Sequence, residues 1–240
     1  MKKLIFIISA ALMFTVSSCD FPGFVSVHPT GEYITKQIQI GAFENVSVSG
    51  GLELVLTQDS VSSLNVKTYE NIQKHIIVEV VGNTLRIYKE IGINFSSDAD
   101  VKINLSCKAL AEIETSGGSR VDMNNGWNGE KLYLSISGGG SAIGKVSLKS
   151  LELSMSGGSR SEIEGTVEYL TINSSGGSRH NHFALEAKKC RADMSGGASA
   201  ELNVSESLEV YGSGGTRVRY KGNPQIIEHL SGGSSIHKVE

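Results

Sequence analysis

Apolar and polar residues alternate along this chain in short runs. Val46-Ser47-Val48, Leu52-Glu53-Leu54-Val55-Leu56, Leu64-Asn65-Val66 and Leu85-Arg86-Ile87-Tyr88 do so in the first half. Leu132-Tyr133-Leu134-Ser135-Ile136, Leu151-Glu152-Leu153-Ser154-Met155 and Leu208-Glu209-Val210-Tyr211 do so in the second. Alternation of period two marks a strand with one buried face. Seven Ser-Gly-Gly triplets punctuate the second half, beginning at Ser116, Ser137, Ser156, Ser175, Ser195, Ser213 and Ser231. The steps between them are 21, 19, 19, 20, 18 and 18 residues. A period near twenty with no helical pattern between the marks predicts stacked repeats.

Each repeat reads as strand, Gly-Gly bend, second strand and turn, often closed by a glycine as at Gly126, Gly144, Gly165 and Gly222. One such unit cannot bury its apolar face, whereas a stack of them builds a continuous core. The expected fold is an all-β parallel β-helix of about seven rungs, each about 4.8 Å above the last. Serine stacked on serine is expected to run a hydroxyl ladder along the column.

The front of the chain divides differently. Lys2 and Lys3 precede an apolar run from Leu4 to Val16, too short to span a bilayer. Val16-Ser17-Ser18-Cys19 follows and resembles the bacterial lipobox. The expectation is a signal peptide over residues 1–18, lipidation of Cys19 and a tether over 19–32. Residues 33–115 carry one earlier triplet, Ser49-Gly50-Gly51, and a hairpin signal at Gly82-Asn83. They are expected to form an N-terminal β region capping the repeat of 116–240. Ile72 to Val81 reads as strand from its Ile and Val content.

Gly41-Ala42-Phe43, the strand residues after it, Tyr69-Glu70-Asn71-Ile72, Gly82-Asn83-Thr84-Leu85-Arg86-Ile87 and the triplets then occur in a telling order. Over residues 33–240 this order resembles the putative auto-transporter adhesin, head GIN domain family of Bacteroidota lipoproteins. The resemblance implies a right-handed winding, an N-terminal β region and an adhesin-like role. It brings no catalytic residues and no cofactor.

Composition narrows the partners. Glycine is abundant at 28 and proline scarce at 3. Removal of Lys2 and Lys3 with the leader leaves 20 basic against 25 acidic residues, a net charge of −5. With 6% aromatic residues, that balance disfavours nucleic acid. The expected partners are the membrane, through the lipid anchor, and a glycan or surface protein. Cys107 and Cys190 are expected to be separate buried thiols, and no Cys/His spacing marks a metal site.

Four patterns could carry chemistry. Arg120, Arg160, Arg179 and Arg217 each stand four residues after their triplet serine, so they share one edge able to meet an anionic polymer. Asp122, Glu162 and Glu201 are expected to neutralise them as exposed pairs. Tyr133, Glu152, Lys189, Arg191, Asp193, Glu209 and His229 face outward from the preceding strand, scattered over several rungs. This face is where a polysaccharide-processing enzyme would act. His180 and His182 share a strand face and are expected to be semi-buried and hydrogen-bonded. Asp59-Ser60-Val61 resembles a short O-glycosylation acceptor. A further expectation, a self-associating module, rests on Ile226, Ile227, Leu230 and Ile236 in the last rung. The sequence favours a non-catalytic envelope lipoprotein at the outer membrane.

Overall fold

The computed structural model describes Gly23 and residues 25–240. The leader, Cys19 and the start of the expected tether lie outside the described residues, while the rest of that tether carries a short strand paired with residues 93–95. The N-terminal region supplies β1 (Val25–Val27), β2 (Tyr33–Ile38), β3 (Asn45–Val48), β4 (Glu53–Gln58), β5 (Ser63–Tyr69), the helical turn α1 (Glu70–Gln73), β6 (Ile76–Val81), β7 (Thr84–Lys89), β8 (Ile93–Phe95), β9 (Lys102–Cys107) and β10 (Glu112–Thr115). The repeat supplies β11 (Arg120–Ile136), β12 (Ser141–Met155), β13 (Arg160–Ser174), β14 (Arg179–Met194), β15 (Ser199–Gly212), β16 (Arg217–Lys221), β17 (Gln225–Leu230) and β18 (Ser235–Lys238). Strands β11 to β15 pair in order and in parallel, in register at both ends of each rung, with bulges between them in three of the four pairings. The fold is a β-solenoid of about seven turns.

The core is a set of vertical columns. Leu85, Val46, Ile113, Leu134, Leu153, Ile172, Ala192 and Val210 stand in one register line, and none is more than 1% exposed. Burying an aliphatic side chain of this size contributes about 1.5–3 kcal/mol, and the alternation seen in the sequence places one at every second position. The line ends at Glu228, which pairs with Val210 in β17 and is exposed.

The backbone, not the serine hydroxyl, ties the Ser-Gly-Gly corners together. From the Ser175 triplet onward, the second glycine donates its N–H to the first glycine carbonyl one rung below, Gly177 to Gly157 at 2.9 Å and Gly197 to Gly176 at 2.8 Å. The triplet serine amide reaches the end of the strand below, Ser156 to Ile136 at 3.0 Å. The expected hydroxyl ladder is therefore not what forms. The residue after each Gly pair points inward instead: Ser119, Ser159, Ser178, Ala198 and Thr216 are all buried. The Ser159 and Ser178 hydroxyls turn back to the carbonyls of Ser156 and Ser175 at 2.9 and 3.1 Å.

Ser49-Gly50-Gly51 adds a corner beneath the repeat, because β3 lies under β10 and β4 under β11. Below it the sheets continue through β7 and β6 on one side, and through β9, β5 and β2 on the other. Gly82 and Asn83 make the two-residue turn of the β6–β7 hairpin. The strand read over Ile72–Val81 begins only at Ile76, because Ile72 falls in α1. Beside it, the Asn71 side chain accepts from the Thr30 amide at 2.8 Å and donates to the His28 carbonyl at 2.7 Å, pinning the entering chain there.

Candidate functional site

The four arginines do share one line. Cα pairing runs Arg120, Ser141, Arg160, Arg179, Ser199, Arg217, Ser235. The intervening inward positions, such as Val121, Ser161, His180 and Val218, are buried, so pleating sends the arginines outward. A second outward line runs Asp122, Ile143, Glu162, Asn181, Glu201, Arg219, His237. The expected ladder of exposed pairs between these lines does not form. Arg120 meets Glu53 from the rung below at 3.7 Å, and Glu201 is held by Arg219 at 2.7 Å. Among the described residues, Arg160, Arg179 and Arg217 have no carboxylate within 4.0 Å. Lysine–glutamate pairs occur elsewhere on the column, Lys149–Glu130 at 3.8 Å and Lys188–Glu168 at 3.3 Å.

Beside the arginine line runs a groove of about 690 Å³ whose apolar lining includes Met123, Ile143 and Phe183. Only Arg120 of the four arginines lines it, together with Asp122, Glu162 and Glu201. The groove is acidic, so its chemistry differs from that of the exposed arginines above it.

The face formed by the strand before each triplet differs from expectation. Glu152, Thr171, Arg191 and Glu209 align in one column, and Asp193, Tyr211 and His229 align in the next. Arg191 donates to Asp193 at 2.9 and 3.3 Å and pairs with Glu209 at 3.1 Å. Its guanidinium lies 4.4 Å from the Tyr211 ring centroid, and Tyr211 stacks on His229 at 4.7 Å. These residues are clustered, not scattered. Asp193 and Tyr211 hold the Arg191 pKa up, and the Tyr211 hydroxyl and Arg191 hold that of Glu209 down. Both groups are thus fixed in their charged forms, and Arg191 is already occupied by two carboxylates. Tyr133 lies rungs away, in the same column below Glu152, and Lys189 covers the Tyr169 ring at 5.7 Å.

His180 and His182 are fully buried rather than semi-buried. In the next rung His180 lies beside Ala200 and His182 beside Leu202. The Ser161 hydroxyl reaches His180 Nδ1 at 3.3 Å and His182 Nε2 at 2.9 Å, and His180 Nε2 meets the Ser174 hydroxyl at 2.9 Å. Burial lowers the His180 pKa to about 4, and lowers that of His182 well below its ordinary value, with help from His180. Among the described residues no group of three His, Cys, Asp or Glu is arranged to hold a metal. Cys107 and Cys190 are free and buried, and burial raises their pKa values to about 11 and about 12. Asp59-Ser60-Val61 sits on an exposed loop, where the Asp59 carboxylate accepts from the Ser60 hydroxyl and the Val61 amide.

The column shape recurs in solved structures. A putative adhesin from Bacteroides fragilis NCTC 9343 is 22% identical with a TM-score of 0.82, over 89% of this chain and 100% of that one. A putative adhesin from Parabacteroides merdae ATCC 43184 is 18% identical with a TM-score of 0.72, over 90% and 99%. A protein described as a putative lipid binding protein, from Parabacteroides distasonis ATCC 8503, is 20% identical with a TM-score of 0.70, over 90% and 100%. No curated protein matches the chain. The family model for the putative auto-transporter adhesin, head GIN domain matches residues 42–224, and the chain belongs to that family.

Proposed function

We propose that this chain is a non-catalytic, lipid-anchored protein of the bacterial outer membrane that uses its rigid column as an adhesive surface. The ligand-contact edge in this reading is Arg120, Arg160, Arg179 and Arg217. The observation that carries it is the exposure, in one register line, of three guanidinium groups that meet no carboxylate within 4.0 Å among the described residues. A guanidinium left unpaired on a stiff strand is pre-organised to accept a carboxylate, sulfate or phosphate in fork geometry. Lipidation of Cys19 in Val16-Ser17-Ser18-Cys19 supplies the anchor. Membership in an adhesin family supports the role. Occupation of Arg191 by Asp193 and Glu209 counts against polysaccharide turnover on the face before the triplet.

Protease shaving of intact cells, with a periplasmic control protein, tests the reading. Cleavage while the control survives is the expected result. Protection until the outer membrane is opened would remove a role in adhesion to other surfaces.

A second reading, binding of an apolar ligand, draws on a cleft of about 680 Å³ lined by Ala42, Phe43, Leu110 and Trp127. That volume suits a small apolar molecule. Trp127 is the single tryptophan of the chain, so its emission reports on this cleft alone. A saturable shift on titration with a fatty acid supports this reading, and an unchanged spectrum rejects it.

A further inference from the structure

The positive charge of the arginine face is concentrated toward the C-terminal rungs. In β16 the residues Arg217, Arg219 and Lys221 alternate with Val218 and Tyr220, so all three cations leave the sheet on one side. They stand about 6.6 Å apart along the strand. Arg179 lies two rungs below Arg217, about 9.6 Å away, with Ser199 between them. Ser235 follows Arg217 one rung above. The only carboxylate that meets this group within 4.0 Å, among the described residues, is Glu201, on Arg219. The Phe183 ring lies 5.6 Å from the Arg219 guanidinium and 5.0 Å from Lys221 Nζ. That contact fixes two of the four cations over an apolar support and lowers the ordering cost of binding.

We propose that Arg179, Arg217, Arg219 and Lys221, with Ser199 and Ser235, form a subsite for an extended acidic polysaccharide lying along the column. The subsite rests on the adhesive reading above and narrows it to one ligand class. Along the line Arg179–Ser199–Arg217–Ser235 a cation alternates with a hydroxyl. This order matches a polymer of spaced single carboxylates separated by hydroxyl-rich stretches. A nucleic acid carries denser charge and calls for stacking aromatics, and the one aromatic ring here already lies beneath two cations. An anionic bilayer would also face the acidic remainder of the molecule, since the mature chain carries a net charge of −5.

The test uses the full mature chain, with polygalacturonate as probe, dextran as neutral control and phosphatidylglycerol vesicles as an anionic surface. Polygalacturonate should bind, and its affinity should fall steeply with added salt, while dextran should not bind. R217Q/K221Q should weaken binding at least tenfold, leaving Arg219 on Glu201. K149Q/K188Q, which removes equal charge from another face, should stay within twofold. S199E, which sets a carboxylate between Arg179 and Arg217, should reproduce the loss without removing any cation. It keeps the test open if the double variant fails to fold.

Absence of polygalacturonate binding, equal losses in both double variants, or vesicle binding as tight as polymer binding would each overturn the subsite. The adhesive reading fails separately. Protection of the protein in intact cells would sink it while leaving polymer binding intact. Adhesion that persists in R217Q/K221Q would sink the subsite alone.

Discussion

Gly165 and Gly158 are both rung glycines, yet they carry opposite costs of substitution. Gly165 has a φ of 108°, and a Cβ there would sit 2.0 Å from the Val146 carbonyl oxygen of the rung below. At Gly158 nothing lies within 4 Å and the backbone is ordinary. Gly165→Ala should therefore destabilise by about 1–3 kcal/mol from backbone strain, with the clash added. Gly158→Ala should be close to neutral. Urea unfolding of the two variants side by side decides the point. The histidine pair gives a second prediction at this scale. His180 has a folded pKa of about 4 against 6.5 in an unfolded chain, because burial penalises its charged form. The folded state thus favours the neutral ring. The contribution is fully present above the unfolded value and is lost as pH falls from 6.5 toward 4. The loss at pH 4 is about 3 kcal/mol from His180 alone, with His182 adding in the same direction. Replacing both rings by leucine should flatten this acid limb in a series of unfolding curves between pH 7 and 4. A limb that stays unchanged would assign the acid sensitivity to other groups.

Strands and corners were legible in the sequence to different depths. The Gly pairs announced the period because the corner demands a conformation that side chains disfavour, so the requirement is written into residue identity. In the rungs from Ser156 onward only the first glycine of each pair takes positive φ. The inward residue after the pair was not legible, because serine, alanine, threonine and glycine all satisfy it and none looks like core. The arginine line could be read because four residues after the triplet the count is still undisturbed. Farther along, the register slips in three of the four pairings from β11 to β15, between Met123 and Trp127, Glu162 and Gly165, His182 and Glu186, and Ala187 and Lys189. Counting from the triplet therefore failed to bring Arg191, Asp193, Glu209, Tyr211 and His229 together. The basic run of β16 was missed because Arg219 stands at an offset where Asp122, Glu162 and Glu201 are acidic, and Lys221 at one with no consistent residue type. Cys107 in β9 and Cys190 in β14 test how these elements cooperate, since β9 pairs with β4, which in turn pairs with β11 of the repeat. In protein lacking Cys19, neither thiol should react with a disulfide reagent under native conditions. Both should become reactive at a single denaturant midpoint if region and repeat unfold together. Two midpoints would make the N-terminal region a separate cooperative unit.

For the whole molecule, the charge distribution matters more than the net value. The mature chain is acidic, but the cations of the C-terminal rungs present a local field of the opposite sign. Capture of an acidic polymer should therefore be fast at low ionic strength and should slow as salt is raised, with the change mainly in the association rate. Surface plasmon resonance over immobilised polygalacturonate, run from low to physiological salt, reads this directly. A salt-independent association rate would locate the binding energy in apolar contacts instead. The free face of the last rung also has a defence built in. Glu228 occupies the end of an otherwise aliphatic column, so a second column stacking there would have to bury a charge. Glu228→Val should promote association, which light scattering at high concentration would show as a rise in mass.

From the Ser175 triplet onward, the ladder through the Gly pairs rests each corner on the corner beneath it. Such a stack can gain or lose one layer without disturbing its ends. An in-frame duplication of one repeat would lift the cationic rungs about 4.8 Å farther from the N-terminal region. It would leave their local pattern intact. The number of repeats then acts as a ruler, setting how far from its base the protein can reach, in steps of a single strand spacing.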